Sequence, residues 1–152
     1  MSEPDLEQLR ADLLEQLCYM LDEIASLRQV TSRMHEAQIT NTERGLSVKQ
    51  CYGAIIMRDR NEILPALQKL SGCKRFRKVR NKEWNHLSME EILTEVEKAR
   101  QEVIEFVTKL DLHDWTLEVA DGMDVYQFLL TVSHHDADTL RSVAQQLYRD
   151  YS

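Results

Sequence analysis

Residues 5–33 read DLEQLRADLLEQLCYMLDEIASLRQVTSR, and the spacing of their apolar side chains decides the fold class. Leu6, Leu9, Leu13, Leu17, Met20, Ile24 and Leu27 recur by threes and fours, the interval that brings side chains to one face of an α-helix. No Gly or Pro interrupts the run, and Pro4 stands just ahead of it, where a missing amide proton removes no hydrogen bond. One long amphipathic helix is predicted from Asp5 to about Arg33, and its stripe needs other helices to cover it.

Working outward, the polar stretch HEAQITNTERG (residues 35–45) breaks the period. Ser47 and Gln50 then form an S-x-x-Q capping box, opening a second helix that carries Val48, Tyr52, Ile55, Ile63, Leu67 and Leu70. Pro65 falls deep inside it and predicts a kink or an early end. The connection SGCKRFRKVRNKEWNHLS (residues 71–88) is long for a compact domain. Ser88 with Glu91 starts a third helix with Ile92, Val96, Ala99, Val103, Phe106 and Leu110 on its stripe. After DLHDWTLEVADG, Asp124 with Gln127 opens a fourth, whose stripe reads Val125, Phe128, Val132, His135, Thr139 and Val143. No segment alternates with period two long enough to argue a strand. The expected fold is all-α, an antiparallel four-helix bundle in a single domain spanning residues 1–152, with a long connection between helices 2 and 3.

Composition agrees with a folded helical chain. Hydrophobic residues make up 43% and charged residues 30%, with only four Gly and two Pro, so the backbone is seldom asked to turn. The net charge of -7 argues against nucleic acid and anionic membranes as partners of the molecule as a whole. Cys18, Cys51 and Cys73 are odd in number and lack C-x-x-C spacing, which favours a reducing compartment. With no apolar run of membrane-spanning length and none after Met1, a cytoplasmic protein without a membrane partner is expected.

Chemistry concentrates in SHHDADTLRSV, residues 133–143. His135 follows Val132 by three and precedes Thr139 by four, so the pattern turns it towards the interior; His134 is rotated by ~100° and joins Asp138 and Arg141 in a solvated cluster. Adjacent histidines cannot chelate one ion, because ligands on one helix must lie about a turn apart. Threonine is a poor ligand for the metals that histidine prefers.

Two stretches here are familiar. HDADTLRSV (residues 135–143) resembles the last-helix signature of the DinB-like (YfiT-like) four-helix-bundle family, H-E-x-x-H followed by L-x-Q-I. GLSVKQCYGAIIMRDR (residues 45–60) resembles its second-helix signature, W-S-x-x-E-x-x-x-H-L. The connection lengths and the Asp121-Gly122 pair agree too, so the likeness runs from Leu6 to Leu147. Many members of that family hold nickel or zinc with three histidines and act as metal-dependent hydrolases or thiol-dependent transferases. Position by position, those ligands fall on Ala54, His135 and Thr139, of which only one is a histidine. The tryptophan place is Leu46, the glutamate place is Gln50, and Asp136 keeps the acidic place.

The resemblance thus implies a degenerate metal site. The expectation is a metal-free bundle binding a small molecule or a partner through a pocket near Tyr52, Ala54, Asp59, His135 and Thr139. The alternative is an enzyme with ligands rearranged around His135, in which a divalent nickel, zinc or iron ion would be the cofactor. Tyr52 and His135 are expected to hydrogen-bond, and Cys51 to be a buried small hydrophobe. Lys74, Arg75, Arg77, Lys78, Arg80 and Lys82 give a basic loop that could attract an anion or a nucleic-acid backbone, although no helix extends the patch. Trp84 and Trp115 are expected to cap the ends of the core. Surplus apolar residues on helix 1, Leu14 and Leu21, point to a homodimer.

Overall fold

The computed structural model describes residues 3–72 and 78–148, and it is mostly helical. Helix α1 spans Glu3–Thr31, α2 Glu36–Ile39, α3 Val48–Arg58, α4 Leu64–Gln68, α5 Met89–Thr108 and α6 Val125–Tyr148. Helix α1 packs on α5 and α6, and α3 packs on the same two helices from its own side. No helix among the described residues is long and apolar enough to cross a membrane.

The caps read from sequence start the helices. Ser47 Oγ accepts from the Gln50 amide at 3.1 Å while the Ser47 amide donates to Gln50 Oε1 at 3.0 Å, so two end donors of α3 are satisfied reciprocally. Ser88 Oγ accepts from the Glu91 amide at the start of α5. The Asp124 and Gln127 pair does the same for α6 in both directions.

Pro65 neither ends nor breaks its helix. Between α3 and α4 the backbone takes a π-helical turn over Asp59–Ile63, with the Leu64 amide donating to the Asp59 carbonyl five residues back. A wider turn accommodates a ring that would otherwise meet the carbonyl four residues before it. The helix then tightens over Lys69–Ser71 and stops at Gly72, whose φ of 77° is a left-handed cap.

Two elements escaped periodicity. The short α2 buries Ile39 inside the polar stretch. A two-stranded antiparallel hairpin, β1 Glu118–Ala120 with β2 Met123–Asp124, leads into α6. Its turn uses Asp121 at φ 52° and Gly122 at φ 76°, the positive values an Asp-Gly turn supplies. Strands of two and three residues are too short to alternate.

The core has two apolar clusters. One gathers Met20, Ile24, Ile55, Ile56, Trp84 and Val96, the other Leu13, Leu17, Ile63, Leu67, Val103 and Trp115. The tryptophans thus sit in opposite clusters, although the buried Trp115 Nε1 has no hydrogen-bond partner among the described residues. Leu21 packs against the first cluster and Leu14 against the second, so the residues that suggested a homodimer are used within one chain.

Candidate functional site

Between the two apolar clusters lies a charged layer. Arg100 of α5 is fully buried and donates through Nε and Nη2 to Asp59, at 3.0 and 3.3 Å, and through Nη1 and Nη2 to Asp136 of α6, at 2.5 and 2.9 Å. On each helix the charged residue interrupts an apolar stripe: Ile56, Asp59, Ile63 on the α3 side, Val96, Arg100, Val103 on α5, Val132, Asp136 on α6. Removing a guanidinium and carboxylates from water is unfavourable unless they are well paired, and this two-sided bidentate geometry gives every guanidinium nitrogen and every carboxylate oxygen a partner. Burial holds the Asp59 carboxyl above the usual range, against the opposing pull of Arg100. Burial also lowers proton affinity at Arg100, but the two carboxylates outweigh it and leave that group firmly protonated.

That layer corrects the sequence-based stripe of α6. The buried row is Val125, Leu129, Val132, Asp136, Val143 and Leu147, so Leu129 takes the place expected of Phe128 and Asp136 that expected of His135. His135 is exposed and does not pair with the core residue Tyr52. An imidazole suits an apolar face better than a carboxylate when each is considered alone. Arg100 reverses the preference by offering Asp136 a fixed fork of donors.

Thr139 is half-buried rather than in the core, and it lines a groove of about 920 Å³ between α3 and α6. Ala54, Cys51 and Arg58 line it from α3, Thr139, Ser142 and Gln145 from α6, and Arg44 and Leu46 from the loop before α3. Gln146 Nε2 donates to the Leu46 carbonyl at 2.6 Å, tying that loop to α6. Leu46 remains 53% exposed. The Cys51 thiol is buried, which pushes its pKa up and disfavours the thiolate a nucleophile needs. Of the expected pocket residues, Ala54 and Thr139 meet in this groove. Tyr52 and Asp59 lie in the interior, and His135 sits one helical turn before Thr139 without lining the groove.

The residues present do not fit a three-histidine metal centre. Ala54 has no donor atom, Thr139 offers only a hydroxyl, and both oxygens of Asp59 are engaged by Arg100. Among the described residues no three His, Cys, Asp or Glu side chains are grouped as a metal site would require.

The other side of α3 faces the long connection, and this connection is anchored. Asn61 receives the Val79 amide at 2.7 Å and donates to its carbonyl at 2.8 Å. The Trp84 ring packs against Gly53, where a Cβ would stand 2.4 Å from it. Ser47 Oγ donates to Asn85 Oδ1 at 2.5 Å, and the buried Lys49 donates to the Leu87 carbonyl and to Glu36. Of the basic loop, Lys74, Arg75 and Arg77 lie outside the described residues. Lys78, Arg80 and Lys82 are exposed. Lys82 and Trp84 line a second trough of about 600 Å³ that shares Leu46, Ala54 and Arg58 with the groove.

Sequence reasoning missed Arg58, Arg44, Lys49 and Arg100. For Arg100 a signal existed, a charge between Val96 and Val103 on an apolar stripe; for the others only the tertiary neighbours reveal the role. No protein-family model, no curated protein and no solved structure matches the chain.

Proposed function

We propose that this chain is a divergent DinB-like antiparallel four-helix bundle that binds a small molecule in the α3–α6 groove without a metal ion. What supports the reading is one juxtaposition: Ala54 and Thr139, positions at which the resemblance expects ligands, line the same groove, and neither carries a metal-binding side chain. A space of several hundred Å³ with mixed lining is of the size small ligands use. Free thiols at Cys18 and Cys51 go with a reducing compartment such as the cytoplasm. A homodimer has less behind it, since on α1 the exposed large apolar side chain is Tyr19 rather than a leucine row; a single monomeric species in sedimentation velocity would remove it.

Two experiments test the reading. A small-molecule screen by amide NMR should yield compounds that shift the resonances of Ala54 and Thr139, with the shifts lost in Ala54→Trp, which fills the groove. A screen that moves no groove resonance would defeat the ligand-binding assignment. The register is tested separately by Ala54→His with Thr139→His, which puts two imidazoles on the lining of one groove and should bind nickel or zinc with roughly micromolar affinity. Calorimetry showing no gain over the wild type would remove the DinB-like alignment.

A further inference from the structure

Among the described residues, basic side chains withdrawn from solvent have partners, with one exception. Arg10 donates to the Leu110 carbonyl at 3.3 Å, Arg28 pairs with Glu90 and Glu97, Lys49 with Glu36, Arg60 with Glu102 at 2.5 Å, and Arg100 with two aspartates. Arg58 is half-buried and makes no hydrogen bond or ion pair among the described residues. Its neighbour Asp59 feels its charge, yet both Asp59 oxygens belong to Arg100. The chain has 26 acidic residues against 19 basic ones, yet the carboxylates that share a lining with Arg58, Asp138 in the groove and Glu62 and Glu83 in the trough beside it, form no ion pair with it. Partly desolvating a guanidinium without acceptors is unfavourable, so the usual outcome is a partner.

The position of Arg58 says where that partner would come from. It lines both the α3–α6 groove and the trough on the far side of α3, beside Ala54, whose methyl leaves the space open. Arg44, exposed and also without an ion pair among the described residues, lines the same groove. The acid in the lining, Asp138, has Arg141 at 3.7 Å to offset it. The remaining polar lining is neutral, with Thr139 and Ser142 hydroxyls able to donate.

We propose that Arg58 is the anchor of an oxyanion site, so that the small ligand of the groove carries a carboxylate or a phosphate seated on the Arg58 guanidinium, with Arg44 as the second cation. This rests on the reading of the groove as a small-molecule site. A planar fork of N–H donors matches either oxyanion bidentately, which an ammonium does not.

The test is an amide NMR titration of the full chain with three probes: benzoate, inorganic phosphate, and benzyl alcohol as the uncharged counterpart of benzoate. Benzoate or phosphate should shift Ala54, Arg58 and Thr139 saturably at about millimolar concentration, and the two arms tell carboxylate from phosphate. Arg58→Gln should weaken that binding about tenfold or more, with Arg58→Lys intermediate. Arg80→Gln, which removes the same charge from the exposed loop, should have little effect. Equal binding of benzyl alcohol and benzoate would overturn the oxyanion proposal and leave the groove reading standing; no groove shift with any probe would overturn both. Equal weakening by Arg80→Gln and Arg58→Gln would reduce the effect to unspecific attraction and sink the proposal. Dispersed spectra of both Arg58 variants establish that they are folded.

Discussion

Arg100 pairs with Asp59 and Arg58 precedes Asp59 in the chain, yet the two arginines are opposites. Arg100 is fully buried and saturated by two carboxylates, whereas Arg58 is half-buried and has no acceptor among the described residues. One residue along α3 makes the difference, because successive side chains of a helix diverge by ~100°. Asp59 turns inward to the layer between the two apolar clusters, and Arg58 turns to the groove. A charge deep in a protein is tolerated when the fold supplies every partner, so the Arg100 layer reads as structure. A charge at a groove whose partners are left out reads as a place for something else.

The contrast can be broken by mutation, and the largest effect is expected at its structural end. Arg100→Met leaves two carboxylates buried without their cation and should lower stability by about 3–5 kcal/mol in urea unfolding. Arg58→Gln should change stability by less than about 0.5 kcal/mol, as for a side chain with no native partner. Similar losses in the two variants would erase the distinction.

Next in size is Gly53→Ala. Glycine to alanine inside a helix normally stabilises, but here the new Cβ would stand 2.4 Å from the Trp84 ring. The expected result is a loss of about 1–3 kcal/mol with a change in tryptophan fluorescence, because the ring that covers α3 must move. A stabilised Gly53→Ala protein would mean that the connection is not held on α3 as described.

The pH dependence sharpens the same comparison. Burial raises the Asp59 pKa above its ordinary 3.8, so the folded state takes up a proton at a pH where the unfolded chain does not. Asp59 therefore contributes stability that is present below that ordinary value and is lost as pH rises through the higher folded value. The stability of the wild type relative to Asp59→Asn should improve as pH is lowered towards the carboxylate range; a difference that is flat or of opposite slope would show that ion pairing with Arg100 outweighs burial. Last, His135→Ala should alter stability by less than about 0.5 kcal/mol, since the ring is exposed; a larger loss would return His135 to the interior.

Much of the helical organisation was legible because it is local. The stripe of α1 and the boxes at Ser47, Ser88 and Asp124 involve residues within a turn of one another, and all three boxes form hydrogen bonds where expected. The π-helical turn was half legible: Pro65 announced a disturbance, but not that a wider turn over Asp59–Ile63 would absorb it. The α6 face was misread at one decisive place, since Asp136 cannot be assigned inward until Arg100, 36 residues away in sequence, is known to meet it. The groove was legible only as two positions, Ala54 and Thr139. The residues that give it chemical character, Arg58 and Arg44, carry no pattern of their own.

By itself the sequence determined that the chain is helical and where its principal helices begin. Those properties follow from spacing, caps and residue identity, which need no knowledge of distant neighbours. Only the tertiary structure decided which charged side chains go inside and which are left without a partner. That depends on desolvation and on hydrogen-bond geometry between helices far apart in the chain. It sent His135 outward and Asp136 inward, and it left Arg58 facing a groove.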